Sequence, residues 1–157
     1  MSAAPWFAGG LRFSCRRCGA CCTGAPGYVW LAEAEIRALA TALALEPREF
    51  LARHARRVGQ AWSLREEGDG RCILFEPGRG CCAYEARPAQ CRNWPFWPRV
   101  LATPESWQRE AAECPGMNAG RLVELPEIER HLRHPGEPRT ALAPQRGSHA
   151  PVEARRR

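Results

Sequence analysis

Nine cysteines, four of them crowded into Cys15-Arg16-Arg17-Cys18-Gly19-Ala20-Cys21-Cys22, constrain this chain more than any other feature. A stretch so dense in thiols is either crosslinked or holds something. In an oxidising compartment it implies disulfides, and in a reducing one metal ligation or catalysis. The start, Met1 to Phe13, has neither the basic n-region nor the apolar h-region of an export signal. No stretch approaches the roughly 18–20 consecutive apolar residues that span a bilayer. A cytoplasmic protein with metal-held thiolates is therefore expected.

The spacing supports this. Two residues between cysteines let successive thiolates turn onto one centre, with the intervening amides donating to sulfur, and Gly19 suits such a turn. Cys15, Cys18 and Cys21 match both a zinc knuckle and the beginning of a ferredoxin-type loop. The vicinal Cys21 and Cys22 are different, because neighbouring side chains in extended structure point to opposite sides. One of them must serve elsewhere, which calls for ligands downstream: Cys72, Cys81 or Cys82, Cys91 and Cys114.

The rest of the chain reads as short elements around these cysteines. Residues 1–12 form a leading segment, with Trp6, Phe7 and Leu11 available for packing, as is Phe13 just beyond it. Ile36, Leu39, Ala40 and Leu43 recur at helical spacing within Leu31–Leu45. Pro47 opens a second helix of about ten residues, with Phe50, Leu51, His54 and Val58 on its stripe and Gly59 at its end. Strands at Ala61–Glu67 and Arg71–Glu76 flank Gly68-Asp69-Gly70 as a hairpin carrying Cys72. Pro77-Gly78-Arg79-Gly80 is a turn, and the prolines of Asn93-Trp94-Pro95-Phe96-Trp97-Pro98 forbid regular structure there. Helices are expected from Pro104 to Glu113, capped by Thr103, and from Pro126 to Arg133. The expectation is a small, irregular α+β fold, three or four short helices and a short hairpin organised around a cysteine-metal centre within residues 13–134. Residues 135–157, rich in Pro, Gly, Ala and Arg, read as a disordered basic tail.

The ordered set Cys15-x-x-Cys18-Gly19-x-Cys21-Cys22, Cys72-x-x-Phe75, Cys81-x-x-Tyr84-Glu85-x-Arg87-Pro88-x-x-Cys91-Arg92-x-x-Pro95-Phe96 and Cys114-Pro115-Gly116 resembles the YkgJ-like bacterial cysteine-cluster family, a zinc- or iron-chelating domain. The resemblance runs from about Phe13 to Gly120. It implies eight metal ligands: Cys15, Cys18, Cys21, Cys22, Cys72, Cys81, Cys91 and Cys114. Cys82 is left over, because the family cysteine stands three residues before the tyrosine. Eight ligands suit two four-cysteine sites or one polynuclear centre, holding zinc or iron, a 4Fe-4S cluster included. Arg87 and Arg92 flank Cys91 and would offset thiolate charge near the metal. Tyr84, Trp94, Phe96 and Trp97 read as core packing that walls the site. His54, His131, His134 and His149 read as non-ligands.

Charge adds little to this. The net charge is +6 with no lysine, but the tail carries half of it, and eight thiolates with two divalent ions lower the total to about +2. A metal ion is the expected partner; nucleic acid and membrane are disfavoured, and a protein partner is unspecified. A structural or metal-handling protein without catalysis is the leading reading, and no catalytic residue is assigned. Two alternatives stand beside it: an iron-sulfur protein supporting redox or methyl-transfer chemistry with a partner, since related domains occur in flagellin lysine methylases, and a zinc module for protein or nucleic-acid interaction.

Overall fold

The computed structural model describes residues 3–23 and 27–133. The tail and His134 and His149 lie outside that range. Six α-helices are found among the described residues: α1 (Glu33–Ala42), α2 (Pro47–His54), α3 (Ala89–Arg92), α4 (Pro98–Leu101), α5 (Pro104–Ala111) and α6 (Leu125–Arg133). The strands are β1 (Leu11–Phe13), β2 (Trp30–Leu31), β3 (Ala55–Val58), β4 (Ala61–Leu64), β5 (Phe75–Glu76), β6 (Gly80–Cys81) and β7 (Met117–Val123). Contacts divide the chain into two compact units, one containing residues 3–18 and 93–133, the other residues 19–23 and 27–92. The boundary falls inside the first cysteine run, between Cys18 and Gly19.

In the second unit β2, β4 and β3 form an antiparallel sheet in that order. Leu39, Phe50, Leu64 and Leu74 are fully buried in its core, with Val29, Ile36, Ala40 and Cys72 around them. α1 follows its apolar spacing, burying Ile36, Leu39 and Ala40. It ends where Ala44 turns left-handed, with the Leu45 amide bonded to the Ala40 carbonyl and the Ala44 amide to that of Thr41, a Schellman closure without glycine.

The second expected helix is shorter than its stripe suggested. α2 stops at His54, and Val58 belongs to β3, paired with Ala61 across Gly59-Gln60. Pairing with β4 outweighs a helical period carried by one valine. The hairpin expected around Gly68-Asp69-Gly70 is correspondingly reduced to a single bridge, Glu66 to Cys72. Cys72 is thus at a bridge rather than on a strand, and β5 pairs with β6 across the Pro77–Gly80 turn.

In the first unit β1 pairs antiparallel with β7, with a bulge between Arg12 and Phe13. Val100, Trp107 and Ile128 have no exposed surface, and Phe96 stacks on Trp107. Thr103 caps α5 by accepting from the Ser106 amide at 3.1 Å. The leading segment packs as expected: Phe7 is buried and the Trp6 indole donates to the Leu101 carbonyl at 2.8 Å. Each unit is built on an apolar core; Cys72 lies within that of the second unit, with Cys22, Cys81 and Cys91 packed against it, and Cys114 is buried in the first. Six helices stand where three or four were expected, because α3 and α4, four residues each, are too short to show a period.

Candidate metal centre

None of the nine cysteines, all among the described residues, is in a disulfide. The unit boundary sorts them. Cys21, Cys22, Cys72, Cys81, Cys82 and Cys91 belong to the second unit, and Cys15, Cys18 and Cys114 to the first.

Backbone hydrogen bonds tie three of the second unit's cysteines together. Cys22 closes a 3-10 turn, Ala20–Cys22, that follows Gly19 at φ +80°. Its carbonyl accepts from the Cys72 amide at 2.7 Å, and the Cys72 carbonyl from the Phe75 amide at 2.9 Å. Phe75 is in turn the register partner of Cys81. Cys91 arrives separately on α3. Cys91 nonetheless feels the other three: it is pushed well above the ordinary thiol range by burial first, then by Cys72, Cys22 and Cys81. Burial leads again at Cys81, which is pushed up to about 11, with Cys22 and Cys82 adding to it. Arg87 acts in the opposite sense on both thiols. Cys72 is buried in the core, and Cys22, Cys81 and Cys91 pack against it. The Cys21 sulfur is 4.0 Å from that of Cys22.

In the first unit Cys15 and Cys18 are exposed and Cys114 is buried. Burial raises the Cys114 thiol first, and Cys18 raises it further, while the nearby Gly116 and Met117 backbone acts in the opposite sense. Gly116 is required here, since a Cβ would lie 2.3 Å from the Ser14 carbonyl oxygen. The Arg17 amide donates to the Cys15 sulfur at 3.4 Å. A backbone N–H group is thus presented to sulfur in the first cysteine run, as thiolate ligation uses.

Among the described residues no three His, Cys, Asp or Glu side chains are gathered tightly enough to hold a metal ion. The thiols are neighbours, but their sulfurs do not converge on one point.

Arg87 lies over the Tyr84 ring at 3.7 Å and donates from Nε to the Tyr84 carbonyl. Arg92 donates to the Arg87 carbonyl at 2.8 Å, bracing the turn rather than a sulfur. Trp94, Phe96 and Trp97 are buried. His54 stacks on Phe50. His131 stacks on Phe96 with Nδ1 2.8 Å from Asn93 Oδ1. Sequence reasoning missed Glu35 and Gln90, which fasten α3. The acidic first turn of α1 hinted at Glu35, and nothing in the sequence marked Gln90.

A pH dependence follows for the metal-free, reduced protein. The raised thiols of Cys81, Cys82, Cys91 and Cys114 mean that the fold prefers them neutral, whereas the unfolded chain ionises near pH 8.5. That stabilisation is complete below about pH 8.5 and declines above it, through about 11 for Cys81. Thermal unfolding under anaerobic reductant should show a midpoint that falls between pH 8.5 and 10.5. A midpoint that holds or rises would contradict the burial of these thiols.

No described helix is long and apolar enough to cross a membrane. The family model "CxxCxxCC: Putative zinc- or iron-chelating domain" matches residues 14–115. No solved structure matches the chain.

Proposed function

The chain belongs to the CxxCxxCC family of zinc- or iron-chelating domains, and on that premise we propose that it binds metal through cysteine thiolates, Cys22, Cys72, Cys81 and Cys91 forming one four-thiolate site. The carrying observation is that Cys72 is buried in the apolar core and Cys22, Cys81 and Cys91 pack against that same core, with the Cys91 thiol raised by the other three. Four thiolates there would repel one another in a poorly solvated place, so the sulfurs keep their protons unless a cation replaces them. An all-sulfur donor set selects zinc or iron over hard cations such as magnesium. A bound ion would supply the compensating positive charge.

The chain's own residues do the rest. The 3-10 turn brings Cys22 to Cys72, β5 and β6 bring Cys81 to the same core, and Arg87 offsets negative charge at Cys81 and Cys91. The remaining convergence is supplied by side-chain rotation at the four cysteines on binding. Cys21 is a further ligand candidate in this unit, and Cys15, Cys18 and Cys114 supply the thiolates of the other. The role is structural or metal-handling, in a cytoplasmic setting, with no catalysis by this chain alone. The Arg17 N–H donor on the Cys15 sulfur favours a second reading, an iron-sulfur centre, since such bonds tune cluster potential.

Anaerobic purification with zinc, iron and acid-labile sulfide analysis tests both. Stoichiometric metal is expected. A colourless zinc protein rejects the iron-sulfur reading, and a brown one with equal iron and sulfide selects it. Near-zero metal, with folding unchanged in chelator, overturns metal binding altogether.

A further inference from the structure

Cys91 differs from the other three thiols in how it is held. Its helix, α3, is a single turn of four residues, too short to persist by its own hydrogen bonds. Two side chains from its surroundings fix it. The Glu35 carboxylate bridges two segments: Oε2 accepts the Ala32 amide at the start of α1 at 2.7 Å, and Oε1 accepts the Ala89 amide, the first of α3, at 2.7 Å. One carboxylate therefore caps both helices.

Gln90, adjacent to Cys91, is fully buried. Its Oε1 accepts the Trp30 amide at 3.0 Å and its Nε2 donates to the Tyr28 carbonyl at 2.9 Å. A parallel neighbouring strand would use that same pair of backbone groups, N–H of one residue and C=O of the residue two before. β2 is an edge strand, bonded to β4 on its other side. The Gln90 amide thus completes the open edge of β2 and leaves Cys91 no freedom to slide along it.

We propose that Glu35 and Gln90 are positioning residues for the metal site: through α3 they set the depth and direction from which the Cys91 sulfur approaches Cys22, Cys72 and Cys81. This rests on the four-thiolate reading above. Because the pre-formed thiols do not converge, the anchoring of the one cysteine without backbone links to the others decides how well convergence succeeds.

Cobalt(II) titration of the full chain under anaerobic reductant is the test, since cobalt reports both affinity and thiolate geometry through its d–d and sulfur-to-metal absorption. Glu35→Gln keeps one acceptor but turns an N–H group toward the other backbone donor. Gln90→Met keeps volume and removes both bonds. Each is expected to weaken cobalt binding by about 10- to 100-fold and to alter the d–d envelope at saturation. Glu33→Gln, one residue pair away on α1 and ion-paired with Arg37, should leave both unchanged. If Gln90→Met fails to fold, Glu35→Gln at its half-buried position carries the test. Folded variants with wild-type affinity and spectrum overturn the positioning role while leaving the four-thiolate site standing. Failure of wild-type protein to bind cobalt overturns the site itself and this role with it.

Discussion

Replacing Cys91 with serine is expected to cut zinc affinity about a hundredfold, while Cys82→Ser leaves it unchanged. Structural zinc sites bind with roughly 10–16 kcal/mol, so one of four thiolates contributes about 3 kcal/mol, two orders of magnitude in affinity. Cys91 is the informative member because its thiol is raised by all three of the others, whereas Cys82 is exposed. Serine keeps the size and removes the soft donor, so the metal-free fold should change little. Competition against a chromophoric chelator measures both variants. Wild-type affinity in Cys91→Ser would remove this cysteine from the site, and a loss as large in Cys82→Ser would mean that the resemblance picked the wrong member of the vicinal pair.

Gly19→Ala should lower stability by roughly 2–4 kcal/mol, from about 1–2 for the left-handed backbone and about 1–3 for overlap. Gly19 sits at φ +80°, and an added Cβ would fall 2.3 Å from Phe75 Cε2 and 2.6 Å from its Cζ. Neither atom is the end of a flexible chain, so the ring must move, and with it the register partner of Cys81. Thermal unfolding should shift by about 5–15 °C. Gly68→Ala, where nothing lies within 4 Å of the new Cβ, is the comparison and should be close to neutral. Equal midpoints for the two variants would show that the Gly19–Phe75 contact is not tight. The contact also explains why a glycine in the first cysteine run and a phenylalanine more than fifty residues later occur in one pattern: each is the shape that the other requires.

Elements with a strong local signature were legible. α1 and α5 carry an apolar stripe or a capping threonine, and Pro47 announces α2 within a residue. The pairing of β1 with β7 was not, because its two strands are more than a hundred residues apart. β7 also contains left-handed Asn118 and Gly120, which break any alternation. The hairpin was misplaced because Gly68-Asp69-Gly70 is a stronger turn signal than Gly59-Gln60, yet the latter joins β3 and β4, whose Ala55, Ser63 and Leu64 are buried. At the site, cysteine identity pointed to the chemistry. The sorting of those cysteines between two units, and the fastening of Cys91 by Glu35 and Gln90, depend on backbone amides brought near by folding, which no spacing rule records.

The pairing of Arg12 with Leu122 has a consequence for synthesis. A chain emerging from the ribosome N-terminus first offers β1 no partner until nearly all of the described residues have been made. The second unit is contiguous in sequence and can close early, while the first must wait for its last third. During that interval Cys15 and Cys18 travel without Cys114, the buried thiol that joins them in the finished unit. Slowing elongation late in the message should therefore prolong the time in which these two thiols lack that third one, and leave the second unit's cysteines untouched.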